Sequence, residues 1–134
     1  MTAARPAIPP PHVIGPVSRT DFVRYQGASG DLNPLHHDEP LARSAGFPTV
    51  FAPGMWVAGL LGAFATDWLG PEHLRAFRAR FHAQIWPGDV LTCTAEIAAE
   101  QPDGEAHVDV VLRCHRQGGQ EAVTAWATFA LPSG

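Results

Sequence analysis

Downstream of residue 76 the chain alternates apolar and polar positions with a period of two. Phe77, Ala79, Phe81, Ala83 and Ile85 fall on one side, and Arg78, Arg80, His82 and Gln84 on the other, the pattern of a half-buried antiparallel strand. Leu91, Cys93, Ala95 and Ile97 repeat it, as do Val108, Val110, Leu112 and Cys114, and then Val123, Ala125, Ala127, Phe129 and Leu131. Pro87-Gly88-Asp89, Pro102-Asp103-Gly104 and Gln117-Gly118-Gly119 separate these runs as turns. Upstream the pattern changes. Pro53 to Leu69 is apolar around most of a helical circumference, opens on a proline whose missing N–H costs nothing there, and stops at Gly70-Pro71. This predicts one long buried helix. Ser18-Arg19-Thr20-Asp21 reads as a variant capping box ahead of Phe22, Val23 and Tyr25, in a helix that should end at Gly27 or Gly30. His12 to Val17 reads as a short edge strand, and Pro40 to Ala45 as a single helical turn closed by Gly46. A long buried helix followed by an antiparallel meander is an α+β plan.

Length and charge narrow the possibilities. At 134 residues the chain holds one core. Pro6, Pro9, Pro10 and Pro11 make residues 1–11 a flexible, proline-rich arm, with the domain running over residues 12–134. Nine arginines, no lysine and 13 acidic residues give a net charge of −4, so no basic face for nucleic acid is expected. No segment is long and apolar enough for a membrane span. Cys93 and Cys114 lack metal-type spacing, fall on the core faces of neighbouring strands, and read as small buried hydrophobes. Because the N-terminus also lacks the apolar run of a signal peptide, a reducing cytoplasm is the expected compartment.

The candidate chemistry lies at Ser29-Gly30-Asp31-Leu32-Asn33-Pro34-Leu35-His36-His37-Asp38. Pro34 bars Asn33 from comfortable helical angles, so the segment is a structured turn that can aim Asp31 and His36 at one spot. A neutral imidazole gives or takes a proton near pH 7, and a neighbouring carboxylate orients it or holds a water. The structural alternative is that Asp31 caps a turn and His36 is merely exposed. His37 and Asp38 enlarge the cluster, but without the spacing of a metal motif, and no metal is expected.

The run from Tyr25 to His36 resembles the signature of the MaoC-like hydratases, an aromatic followed by Ser-Gly-Asp-x-Asn-Pro-(apolar)-His. Phe51-Ala52-Pro53-Gly54-Met55 and Trp86-Pro87-Gly88-Asp89 are similar to that family's helix-entry and strand-turn motifs. The resemblance implies a single hot-dog fold, with a long central helix wrapped by an antiparallel sheet. It also implies reversible hydration of trans-2-enoyl thioesters of CoA or acyl-carrier protein to (R)-3-hydroxyacyl thioesters. Asp31 and His36 would be the catalytic pair and the Gly54 amide the donor to the thioester oxygen, with Asn33 grouped on the substrate side while bracing the loop. No cofactor is implied. The partner would be a second copy or a related hot-dog subunit. Two alternatives stand beside this reading: a hot-dog thioesterase, for which the central helix offers only Asp67, and a non-catalytic acyl-binding subunit. The chain departs from the family pattern at Pro53, where many members carry His, and at Gly59 and Gly62, where several carry a hydroxyl residue. Those glycines either widen an acyl channel or permit close helix–sheet packing.

Overall fold

The computed structural model describes residues 5–101 and 103–132. Residues 1–4 of the expected arm, Pro102 of an expected turn and residues 133–134 lie outside that range. The elements run β1 (His12–Ile14), α1 (Arg19–Ser29), α2 (Glu39–Ser44), α3 (Gly54–Leu69), β2 (Leu74–Phe81), β3 (Leu91–Gln101), β4 (His107–Arg116) and β5 (Glu121–Ala130). The strands form one antiparallel sheet in the order β1-β3-β4-β5-β2. The α3 helix lies across β2 to β5, which is the α+β, helix-in-sheet plan expected.

Local sequence explains where the helices begin and end. The Ser18 hydroxyl accepts the Asp21 N–H while the Asp21 carboxylate accepts the Ser18 N–H, closing the capping box at the start of α1. At its other end Gly30 adopts φ 79°, a left-handed cap that glycine takes without steric cost. Asp38 caps α2 through the Leu41 N–H at 3.2 Å. The buried face of α3, carrying Val57, Leu61, Phe64 and Ala65, meets Val110, Leu112, Ala125 and Phe129 from the sheet, and removing each large side chain from water contributes about 1.5–3 kcal/mol.

Register carries the alternation into the core. Cys93 stands directly opposite Cys114, both fully buried and both free thiols. The β2 strand begins earlier and ends sooner than its apolar alternation predicts, stopping at Phe81. The His82 and Ala83 amides both reach the Ala122 carbonyl, at 2.8 and 3.3 Å, and the Ile85 carbonyl is taken by the Ala52 N–H at 2.8 Å. His82 and Ala83 thus still hold to the start of β5, and by Ile85 the chain ties to the segment that leads into α3. Ahead of β1, the Trp68 indole donates to the Ala7 carbonyl at 2.7 Å and Arg5 pairs with Glu100 at 3.1 Å.

Candidate active site

Three elements meet at the candidate site: the end of α1, the turn that follows it, and the entry to α3. The turn is built from consecutive side-chain-to-backbone bonds. Ser29 Oγ accepts the Asp31 N–H at 3.1 Å, Asp31 Oδ1 accepts the Asn33 N–H at 3.2 Å, and Asn33 Oδ1 accepts the Leu35 N–H at 3.1 Å. Each is a local turn bond that Ser, Asp and Asn make readily. Pro34 then opens a short 3₁₀ turn, Pro34–His36, with Asn33 as its cap. Asp31 is exposed, and Oδ1 is the carboxylate oxygen engaged by the turn.

His36 is only 6 % exposed. Its Nδ1 lies 2.8 Å from the Phe51 carbonyl oxygen, and because a carbonyl only accepts, Nδ1 carries the proton. The Nε2 lone pair is thereby left available for proton exchange. The ring is fixed edge-on to Phe51 at 5.1 Å, and Phe51 is held in turn by Phe47 at 4.7 Å and Trp86 at 6.2 Å. The Phe51 backbone carbonyl therefore sets the tautomer of His36, and the aromatic wall around Phe51 its direction.

Phe51 is also a wall of a cavity of about 190 Å³, lined in addition by Gly54, Val57, Phe81, Ile85 and Val123. Gly54 is the first residue of α3, and Pro53 before it supplies no side-chain cap. The first N–H groups of a helix have no intrahelical acceptor, so the amide at Gly54 offers the cavity a hydrogen-bond donor and the positive end of the helix dipole. A Cβ at residue 54 would stand 3.0 Å from Phe81 Cε1, so glycine lets the Phe81 ring pack close against the start of α3. Asp31 and His36 do not line the cavity itself. His36 touches it through Phe51.

One buried residue that the motif pattern does not single out organises the turn. Gln26, at 2 % exposure, donates through Nε2 to the carbonyls of Asp31 and Asn33, both at 2.9 Å, while its Oε1 meets His37 Nδ1 at 2.9 Å. The signal was available: Phe22 and Gln26 are four apart, on the one face of α1 that is buried. Asn33 acts here through its Oδ1 as the turn cap, and Asp38 caps α2. Among the described residues no three His, Cys, Asp or Glu side chains gather as a metal site requires.

The sequence profile described as the MaoC like domain matches residues 6–115. The chain belongs to the MaoC-like family. An (R)-specific enoyl-CoA hydratase of Rhodospirillum rubrum is 32 % identical over 119 residues, covering 87 % of this chain and 81 % of that protein. The 3-hydroxyacyl-thioester dehydratase X of Mycobacterium tuberculosis is 39 % identical over 100 residues, covering 75 % of this chain, which spans only 34 % of that longer protein. In structure, the ChsH1–ChsH2 complex of Mycobacterium tuberculosis superposes with a TM-score of 0.82 at 24 % identity, covering 95 % of this chain and 97 % of that one. Within this MaoC-like hot-dog fold, Gly59 and Gly62 are not demanded by close packing. A Cβ at Gly59 meets nothing within 4 Å, and one at Gly62 makes an ordinary 3.8 Å contact with Phe77.

Proposed function

We propose that this MaoC-like protein catalyses the reversible addition of water to trans-2-enoyl thioesters, giving (R)-3-hydroxyacyl thioesters. The observation that carries this reading is the His36 Nδ1 bond to the Phe51 carbonyl, which frees Nε2 on the same short turn that exposes the Asp31 carboxylate. Water held between the two loses a proton to one of them and attacks C3, while a proton is delivered to C2. The negative charge that collects on the thioester oxygen is met by the uncapped amide of Gly54 at the start of α3, a donor whose loss from comparable sites costs about 10²–10³ in rate. The kinship with a hydratase and with a dehydratase supports both directions of this one reaction.

The acyl group enters as a CoA or acyl-carrier thioester. A cavity of about 190 Å³ is smaller than the roughly 300 Å³ at which small-molecule sites begin, so the reacting end occupies it while the rest of the substrate passes the exposed Phe81 side chain that lines it. The β2 strand pairs with β5 alone and lies at the sheet edge, and it joins the edge of a second hot-dog unit, a copy or a related subunit. The free, facing thiols of Cys93 and Cys114 suit a reducing cytoplasm.

The test follows absorbance at the enoyl-thioester band with crotonyl-CoA, alongside free thiol release. Loss of the band without thiol release is expected. Thiol release at the same rate would make the protein a thioesterase, and no change in either would remove the catalytic reading.

A further inference from the structure

Outside the Asp31–His36 pair, the buried amide of Gln26 and the exposed imidazole of His37 form a unit of their own. Both carbonyls facing Gln26 are acceptors, so the nitrogen of its amide must point at them, and Oε1 must point at His37. That oxygen is buried, and a buried acceptor without a donor is costly. His37 Nδ1 supplies the donor, and it does so in the neutral Nδ1–H tautomer and in the imidazolium alike. The Gln26 backbone carbonyl also accepts the Gly30 N–H at 2.9 Å. A single residue of α1 therefore grips the turn at Gly30, Asp31 and Asn33, the three positions on either side of and at the carboxylate.

We infer that Gln26 and His37 are positioning residues that set the direction of the Asp31 carboxylate, His37 by locking the Gln26 amide in the one orientation that can hold the turn. This rests on the hydration reading above. Residues that orient a catalytic group typically change activity about 10- to 100-fold when lost, and misplacement by about 1 Å suffices for the upper value. The pair makes no use of substrate contacts, so its loss appears in kcat and leaves KM in place.

Four variants test this with crotonyl-CoA. Gln26→Met, which keeps length and loses both donors and acceptor, should lower kcat about 10- to 100-fold with KM within about twofold. His37 is exposed, so its variants fold whatever happens at Gln26. His37→Asn places an amide nitrogen where Nδ1 stands and should retain wild-type kcat within about twofold, whereas His37→Gln, which places its nitrogen farther out, and His37→Leu should each lose about three- to tenfold, the smaller range reflecting water access at an exposed partner. Wild-type kcat in folded Gln26→Met, or three His37 variants that cannot be told apart, would overturn the inference. If Gln26→Met does not fold, the His37 series alone decides. Amide hydrogen exchange at Asn33, whose N–H is held by Asp31 Oδ1, gives a readout independent of the reaction. Faster exchange in His37→Leu than in His37→Asn supports the clamp even if no thioester is turned over, in which case the hydration reading alone fails; equal exchange in both counts against the clamp.

Discussion

Asp31 and Asp89 are both carboxylates set in turns, and the chain treats them in opposite ways. Asp89 is 4 % exposed and fully engaged: Trp86 N–H and Arg116 Nε reach Oδ2 at 2.8 and 2.7 Å, and Gln117 and the second Arg116 nitrogen reach Oδ1 at 2.7 and 3.1 Å. Its backbone carbonyl also accepts the Val17 N–H at 2.9 Å. This one residue joins the turn before β3, the end of β4 and the segment after β1. Asp31 is exposed and engages a single backbone N–H. A carboxylate whose lone pairs are all taken by fixed donors is a structural bracket, and one left half open on a braced turn can take and return a proton. The same contrast separates the histidines of the turn: His36 is buried with one nitrogen left over for chemistry, and His37 is exposed with its Nδ1 turned back toward Gln26.

The contrast is broken most sharply by substitution. Asp31→Asn and His36→Ala should each lower kcat by about 10²–10⁴, the usual worth of a positioned acid or base, with melting temperatures close to wild type by calorimetry. Asp89→Ala should do the reverse. Loss of one partner from a buried ion pair costs about 3 kcal/mol, a fall of roughly 10 °C in melting temperature for a domain of this size, while kcat of the remaining folded protein stays within a few-fold of wild type.

Acid sharpens the comparison. Burial by itself raises the Asp89 carboxyl, but the hydrogen bonds from Arg116, Gln117 and the Trp86 N–H outweigh it and hold the group below the usual carboxylate range. The unfolded chain then binds that proton more readily than the folded one. The contribution is fully present above the ordinary Asp value of about 3.9 and is lost as the pH falls through the lower folded value. Melting temperature measured between pH 6 and pH 3 should drop in wild type below about pH 4, and drop less steeply in Asp89→Asn.

The smallest effect is expected at Gly59. A Cβ there meets nothing within 4 Å, so Gly59→Ala should stabilise the protein by about 0.5–1 kcal/mol through helix propensity alone. A loss of stability would show that the helix face has a neighbour in the assembled protein.

Much of this architecture is local and therefore legible. The Ser18 capping box, the Gly30 stop, Pro53 ahead of α3 and the period-two runs each use neighbours in sequence, and each appears where those residues stand. The turn carrying Asp31 and His36 was legible for the same reason, since Ser29, Asp31, Asn33 and Pro34 bond or restrain positions within two residues of themselves. Features that depend on contacts made at a distance were not. The alternation through Ala83 and Ile85 continues past the end of β2, but the Ile85 carbonyl is captured by Ala52, 33 positions away in the chain, and no local pattern announces that exchange. The tautomer of His36 depends on the Phe51 carbonyl, 15 residues downstream. Gln26 lies between the two cases, because a polar residue on the buried face of α1 is a local signal whose partners are not.

The central claim is that Asp31 and His36 act on one shared water, and a double-variant cycle tests it most directly. Crotonyl-CoA hydration is followed for Asp31→Asn, His36→Ala and the two combined. Groups acting as a unit lose their joint contribution once, so the combined variant should be no more than a few-fold slower than the slower single variant. Losses that multiply, or a single variant within tenfold of wild type, would contradict the account.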